Sequence, residues 1–139
     1  MRKAMLAGLC LCVAVVLGGC PETEPTLVGL WEGTQADLDG WVGDVSLRFT
    51  KAEWNLSSED GSCGGTYVVD SKQDPKWVDL EMTWSDEGDG AEALGAPVLY
   101  EGIFQIYADQ LMLGFEEFPT PRPVNFMEAF HLVVASLSE

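Results

Sequence analysis

The stretch DVSLRFT, Asp44 to Thr50, alternates without a break: Val45, Leu47 and Phe49 take one phase, and Asp44, Ser46, Arg48 and Thr50 the other. Successive side chains of an extended backbone point to opposite faces, so this is a strand with one buried side. The stretch WVDLEMTW, Trp77 to Trp84, repeats the pattern, with Val78, Leu80, Met82 and Trp84 opposing Asp79, Glu81 and Thr83. Shorter runs of the same kind occupy Leu30 to Asp37, Glu53 to Ser57, Gly65 to Asp70, Gly102 to Tyr107, Gln110 to Glu116 and Ala129 to Ala135. Turn formers separate them: Asp39-Gly40, Ser58 to Gly61, Ser71 to Pro75, Ala108-Asp109 and the longer Asp86 to Pro97. Between Cys20 and Glu139 no helical stripe is sustained, and Ala91 to Leu94 is read as one helical turn at most. Short strands on hairpin-length links predict an all-β, single antiparallel, roughly eight-stranded sheet that buries its apolar face and its edges by closing into a barrel.

Gly29-Leu30-Trp31, at the start of the first strand, resembles the Gly-x-Trp signature that opens lipocalin-type barrels, where the Trp plugs the closed end. Trp77 to Leu80, Gly102 to Ile106, Leu111 to Leu113, and then Arg122-Pro123 and Phe126 are similar in order to small, uncharacterised lipocalin-like exported domains of bacteria. The resemblance implies a barrel over residues 27–139 and a plug at Trp31. A full lipocalin also carries an arginine near its last strand, and Ala129 to Ala135 has none. The resemblance therefore implies a fold and no particular ligand.

Trp54, Tyr67, Trp84, Phe49, Phe104 and Phe115 fall on the apolar phase of their strands, so they are expected to face the interior. An eight-stranded barrel has room for packed side chains or for one small ligand. The sequence leaves both readings open, and in the second Trp54, Tyr67, Trp84, Phe104 and Phe115 line the cavity. Its mouth is expected at the longer links, Asp86 to Pro97 and Glu116 to Asn125. Because Arg48 is on the polar phase and Arg122 is in a proline-flanked loop, the inward face is expected to carry no cation. An apolar or neutral ligand is then favoured over a buried carboxylate or phosphate.

The first residues read differently. Arg2 and Lys3, an apolar core from Ala4 to Val16 and small residues up to Gly19 have the layout of an export signal. The apolar core is shorter than the ~20 residues a membrane-crossing helix needs. Leu17-Gly18-Gly19-Cys20 resembles the lipobox of bacterial lipoproteins, which implies acylation of Cys20 and its exposure as the mature N-terminus. Two or more acyl chains give stable attachment where one gives marginal binding. This divides the chain into a lipoprotein signal peptide (1–19), a lipidated cysteine with an extended tether (20–26) and the barrel (27–139). Pro21 to Thr26, with two prolines and two glutamates, reaches about 20 Å when extended. The expected location is the bacterial cell envelope, with the membrane as partner through the lipid on Cys20. The formal net charge of −16, with only seven Lys and Arg, argues against nucleic acid, whose binding is driven by cations displacing counterions from phosphates.

No catalytic or metal set emerges. Cys10 and Cys12 lie in the signal and Cys20 is assigned to the lipid, leaving Cys63, placed at the end of a turn, as a buried inert thiol or an unpaired one. His131 alternates with Phe130, Leu132 and Val134 and is expected on the outer face. A Cys63–His131 nucleophilic pair has the right chemistry, but nothing in the sequence sets its spacing. The acidic runs Asp37 to Gly40 and Asp86 to Glu92 do not match the calcium-loop spacing. The expectation is a non-enzymatic, cofactor-free, membrane-anchored barrel that binds a small apolar or neutral ligand; the alternative is a solid barrel serving structure or protein interaction.

Overall fold

The alternating runs fold as antiparallel strands in chain order: β1 (Gly29–Asp37), β2 (Val42–Phe49), β3 (Glu53–Ser58), β4 (Gly61–Asp70), β5 (Lys76–Asp86), β6 (Glu92–Tyr107), β7 (Gln110–Glu117) and β8 (His131–Leu137). Each strand pairs with its sequence neighbour, and β8 returns to β1, so the sheet is a closed barrel. This computed structural model describes residues 26–138; the signal peptide, Cys20 and almost all of the tether lie outside the described residues. No helix among the described residues is long and apolar enough to cross a membrane.

Register carries the alternation around the barrel. Trp31 pairs with Leu47, which pairs with Leu56; Phe49 pairs with Trp54. On the far side Phe104 pairs with Leu113, which pairs with Val133. These partners share the inner face, and Trp31, Leu47, Phe49, Val78, Leu80, Leu111, Leu113 and Val133 are all less than 2% exposed. The middle of the barrel is a packed core, with apolar burial as its main stabilising term.

Three strands depart from the sequence reading. The segment Asp86 to Pro97, expected as a long link with a helical turn at Ala91 to Leu94, is mostly strand, because β6 begins at Glu92. Asp86 Oδ1 accepts the backbone N–H groups of Gly88 (2.8 Å) and Gly90 (3.1 Å). Both glycines hold positive φ, 111° and 110°, which glycine adopts without steric cost. The reversal is thus completed by Gly90, and Ala93 can pair with Trp84. Likewise β4 starts at Gly61, which puts Cys63 in a strand opposite Leu56 instead of at the end of a turn. In β8 the parity is opposite to the expected one: Val133 and Ala135 are buried, Val134 is 42% exposed, and His131 pairs with inward Phe115.

Glu116 to Thr120 border a hollow beside Phe130 and His131 at the end where β7 stops, within the segment expected to rim an opening, whereas the rest of the link, from Arg122 to Ala129, folds over the outer wall of β5, β6 and β7. The Arg122 guanidinium donates to the carbonyls of Gly102 (2.9 Å) and Val78 (3.4 Å) and to Asp79 Oδ1 (2.8 Å). A Cβ placed on Gly114 would lie 2.7 Å from the Ala129 methyl, and Ala129 is buried. Ile103, outward-facing beside Gly114, is 1% exposed because this link covers it.

Candidate functional site

The barrel has two unlike ends. At the proximal end, where β1 begins, a hollow of about 430 Å³ is lined by Leu27, Val28, Tyr67, Val69 and Phe104, with Lys51 and Lys76 at its rim. Trp31 Nε1 donates to the Leu27 carbonyl (2.8 Å), tying the incoming chain to the buried indole. Tyr67 meets Phe49 edge to face at 4.9 Å and donates its hydroxyl to the Thr50 carbonyl (2.6 Å). Lys76 pairs with inward Phe104, so the inner register does reach a cation, contrary to the expectation of a face without one. The lysines of the described residues, Lys51, Lys72 and Lys76, all lie in or beside the turns of this end.

The aromatic set expected to line one cavity is divided. Tyr67 and Phe104 line the proximal hollow. Trp54 is 4% exposed and fills the core, its Nε1 donating to the Glu81 carbonyl (3.3 Å). Phe115 is 7% exposed at the other end, edge to face with Tyr100 and stacked on His131 at 4.8 Å. Trp84 does not line the interior. The β4–β5 register shifts between Gly64 and Gly65, and Trp84 pairs with outward Gly64. A Cβ on Gly64 would lie 2.8 Å from the Trp84 ring and 3.0 Å from Asn55 Cβ, so the indole rests on the outer wall. A side chain at Gly65 would run into the Glu81 carbonyl, which is why the irregularity falls at this glycine pair.

At the distal end, where β1 ends, polar groups converge that the sequence reading had scattered. His131 Nδ1 donates to Asp37 Oδ1 (2.8 Å), which also accepts from Gln35 Nε2 (2.9 Å). His131 therefore faces inward, between Phe115 and Phe130, and not outward as its neighbours suggested. Gln35 is 7% exposed, and its Oε1 has no hydrogen-bond partner. Beside it a second hollow of about 340 Å³ is lined by Gln35, Asp37, Asp39, Trp41, Ser58 and Asp60, over Val45 and Leu56. The signal in the sequence is a lone glutamine on the inward phase of Leu30 to Asp37, two residues from a carboxylate.

No family model, curated protein or solved structure matches this chain significantly. Burial pushes the Cys63 thiol up to about 11, so it is protonated at neutral pH and a poor nucleophile. Among the described residues no group of three or more His, Cys, Asp or Glu is arranged to hold a metal ion. The acidic run from Asp86 spends a carboxylate oxygen on its own turn.

Proposed function

We propose that this protein is a lipid-anchored lipoprotein of the bacterial cell envelope whose barrel binds a small apolar molecule at its proximal end. The observation that carries the binding part is the hollow of about 430 Å³ between Leu27, Tyr67, Val69 and Phe104. This volume lies at the lower end of ordinary ligand sites, ~300–1,000 Å³. The ligand is read at the end of the barrel because the middle is filled: Leu47, Phe49, Leu80 and Leu113 leave no room for a deep central pocket. Lys51 and Lys76 at the rim favour a polar or anionic head on that ligand, with its apolar part against Tyr67 and Phe104.

The anchor rests on the Leu17 to Cys20 motif and on the export-signal layout before it. Cys20→Ala removes the thiol that would carry the lipid, so an unprocessed, longer precursor is expected. Mass spectrometry of membrane-extracted protein tests this, and a mature chain beginning elsewhere than at an acylated Cys20 would refute it. The packed core also favours a second reading, in which a solid barrel works through its outer surface and ends as a structural or protein-interaction lipoprotein. Titration with a medium-chain alcohol and the matching fatty acid separates the two. Saturable binding that Phe104→Ala weakens supports the ligand site, and binding of neither supports the second reading.

A further inference from the structure

We infer that the distal hollow is a second binding site, for a small amine carried as its ammonium cation. The site is built from the inner face outward. Gln35 pairs with Gly43 across β1 and β2. A Cβ on Gly43 would lie 2.8 Å from the far edge of the Trp41 indole, so that ring occupies the space a side chain would take and roofs the barrel next to Gln35. The ring is fixed from two sides: its Nε1 donates to Asp60 Oδ2 (3.1 Å), and the Trp41 backbone N–H donates to Asp39 Oδ1 (3.1 Å). Three carboxylates, an indole and the Gln35 side chain thus border one hollow of about 340 Å³.

Gln35 points to a ligand in a way the carboxylates alone do not. An amide oxygen that is buried without a donor costs on the order of 1–3 kcal/mol, and Gln35 Oε1 is so placed although the same amide donates to Asp37. The missing partner is a hydrogen-bond donor. The neighbouring charges say which kind: Asp37, Asp39 and Asp60 line the hollow and no Lys or Arg does. The bonds to Gln35, His131 and Trp41 engage one oxygen of each of these carboxylates. An ammonium group brings N–H donors and a positive charge together, and its carbon attached to nitrogen can rest against the Trp41 ring, as cations do on aromatic faces. A ligand that also carried a carboxylate would be repelled by the same residues. The hollow over Val45 and Leu56 accepts an aliphatic stem. The class is accordingly a small aliphatic amine without an acidic group.

The site does not depend on the proximal hollow, so the two can fail separately. The test is calorimetric titration of the purified protein with n-butylammonium chloride and with n-butanol as neutral isostere, followed in parallel by tryptophan fluorescence. Expected is saturable binding of the ammonium at one site per chain, weakened by added salt, with butanol failing to bind there. Asp60→Asn and Asp39→Asn should each weaken binding roughly tenfold, the magnitude of one charged hydrogen bond. Gly43→Ala, which displaces the end of the Trp41 ring, should weaken it while the melting temperature stays close to that of the parent. Gln35→Leu should abolish it; if that variant fails to fold, Asp39→Asn, on an exposed turn, decides. Lys76→Met, at the other end, should leave it unchanged. Absence of saturable ammonium binding, equal binding of butanol, or affinity unchanged in the Asp39 and Asp60 variants would overturn the site.

Discussion

The guanidinium of Arg122 lies 4.4 Å from the centroid of the Trp77 ring, so a cation from a proline-flanked link is laid on an aromatic from the outer face of β5. The same group donates to Gly102, Val78 and Asp79 and is 3.7 Å from Glu101. One side chain thereby fastens the link from Phe118 to Phe130 to the barrel wall and keeps Ile103 covered.

Arg122→Met should lower stability by about 2–3 kcal/mol, the sum expected for a partly buried cation–π contact and charged hydrogen bonds. Urea unfolding measures the loss. Limited proteolysis should find new cleavage between Phe118 and Phe130, and an unchanged cleavage pattern would mean that the link is held by other contacts.

Tryptophan truncations should separate inner from outer rings. Trp31→Ala and Trp54→Ala, at 1% and 4% exposure, should each cost about 3–5 kcal/mol. Trp84→Ala removes a ring from the outer wall and should cost about 1 kcal/mol. Equal losses at Trp54 and Trp84 in chemical denaturation would place Trp84 back inside.

Alkaline pH should destabilise the fold through Cys63. Its pKa is raised from 9.0 to about 11 by burial, so the unfolded chain releases this proton first. The stabilising contribution is present in full below pH 9 and is lost as pH rises from 9 to about 11, on the order of 2 kcal/mol. Burial likewise pushes the Tyr100 hydroxyl up to about 12, extending the decline upward. Cys63→Ala should remove the lower part of this slope in melting temperatures measured from pH 8 to 11, and a parallel curve for the variant would show that Cys63 is not its source.

At the proximal end, a medium-chain fatty acid should bind at least as tightly as the matching alcohol, because Lys51 and Lys76 stand at the rim. The double substitution Lys51→Met and Lys76→Met should reverse that order by several-fold while leaving the alcohol nearly unaffected, as expected when one charge contact of ~1 kcal/mol is removed. Fluorescence titration decides it, and an alcohol preferred by the parent protein would rule out a role for the lysines.

Where one phase of a run is apolar and the other polar, the fold was legible: Asp44 to Thr50 and Trp77 to Met82 face as their alternation says. Phe130 to Val134 is apolar on nearly every position, so parity there is set by the register of His131 with Phe115, a contact between distant parts of the chain. Trp84 was misread because a bulge moves every later residue of its strand to the other face, and bulges leave only a faint mark such as Gly64-Gly65. The distal cluster was illegible for a similar reason. Asp37 and His131 are 94 residues apart in the chain, and nothing short of closing β8 onto β1 brings them together.

Lysines at one end and carboxylates in the hairpins of the other make the barrel an electric dipole along its axis. Lys51, Lys72 and Lys76 offset most of the charge of Glu53, Asp70, Asp74 and Asp109 in or beside the same turns, so this end is the less negative pole; Asp37, Asp39, Glu59, Asp60, Asp86, Glu87 and Asp89 form the strongly negative one. A negatively charged surface repels such a body as a whole and at the same time exerts a torque on it, over distances of about 8 Å at physiological salt. The molecule then arrives lysine end first and exposes the carboxylate end to the medium, an orientation set by the placement of loop charges and needing no complementary shape.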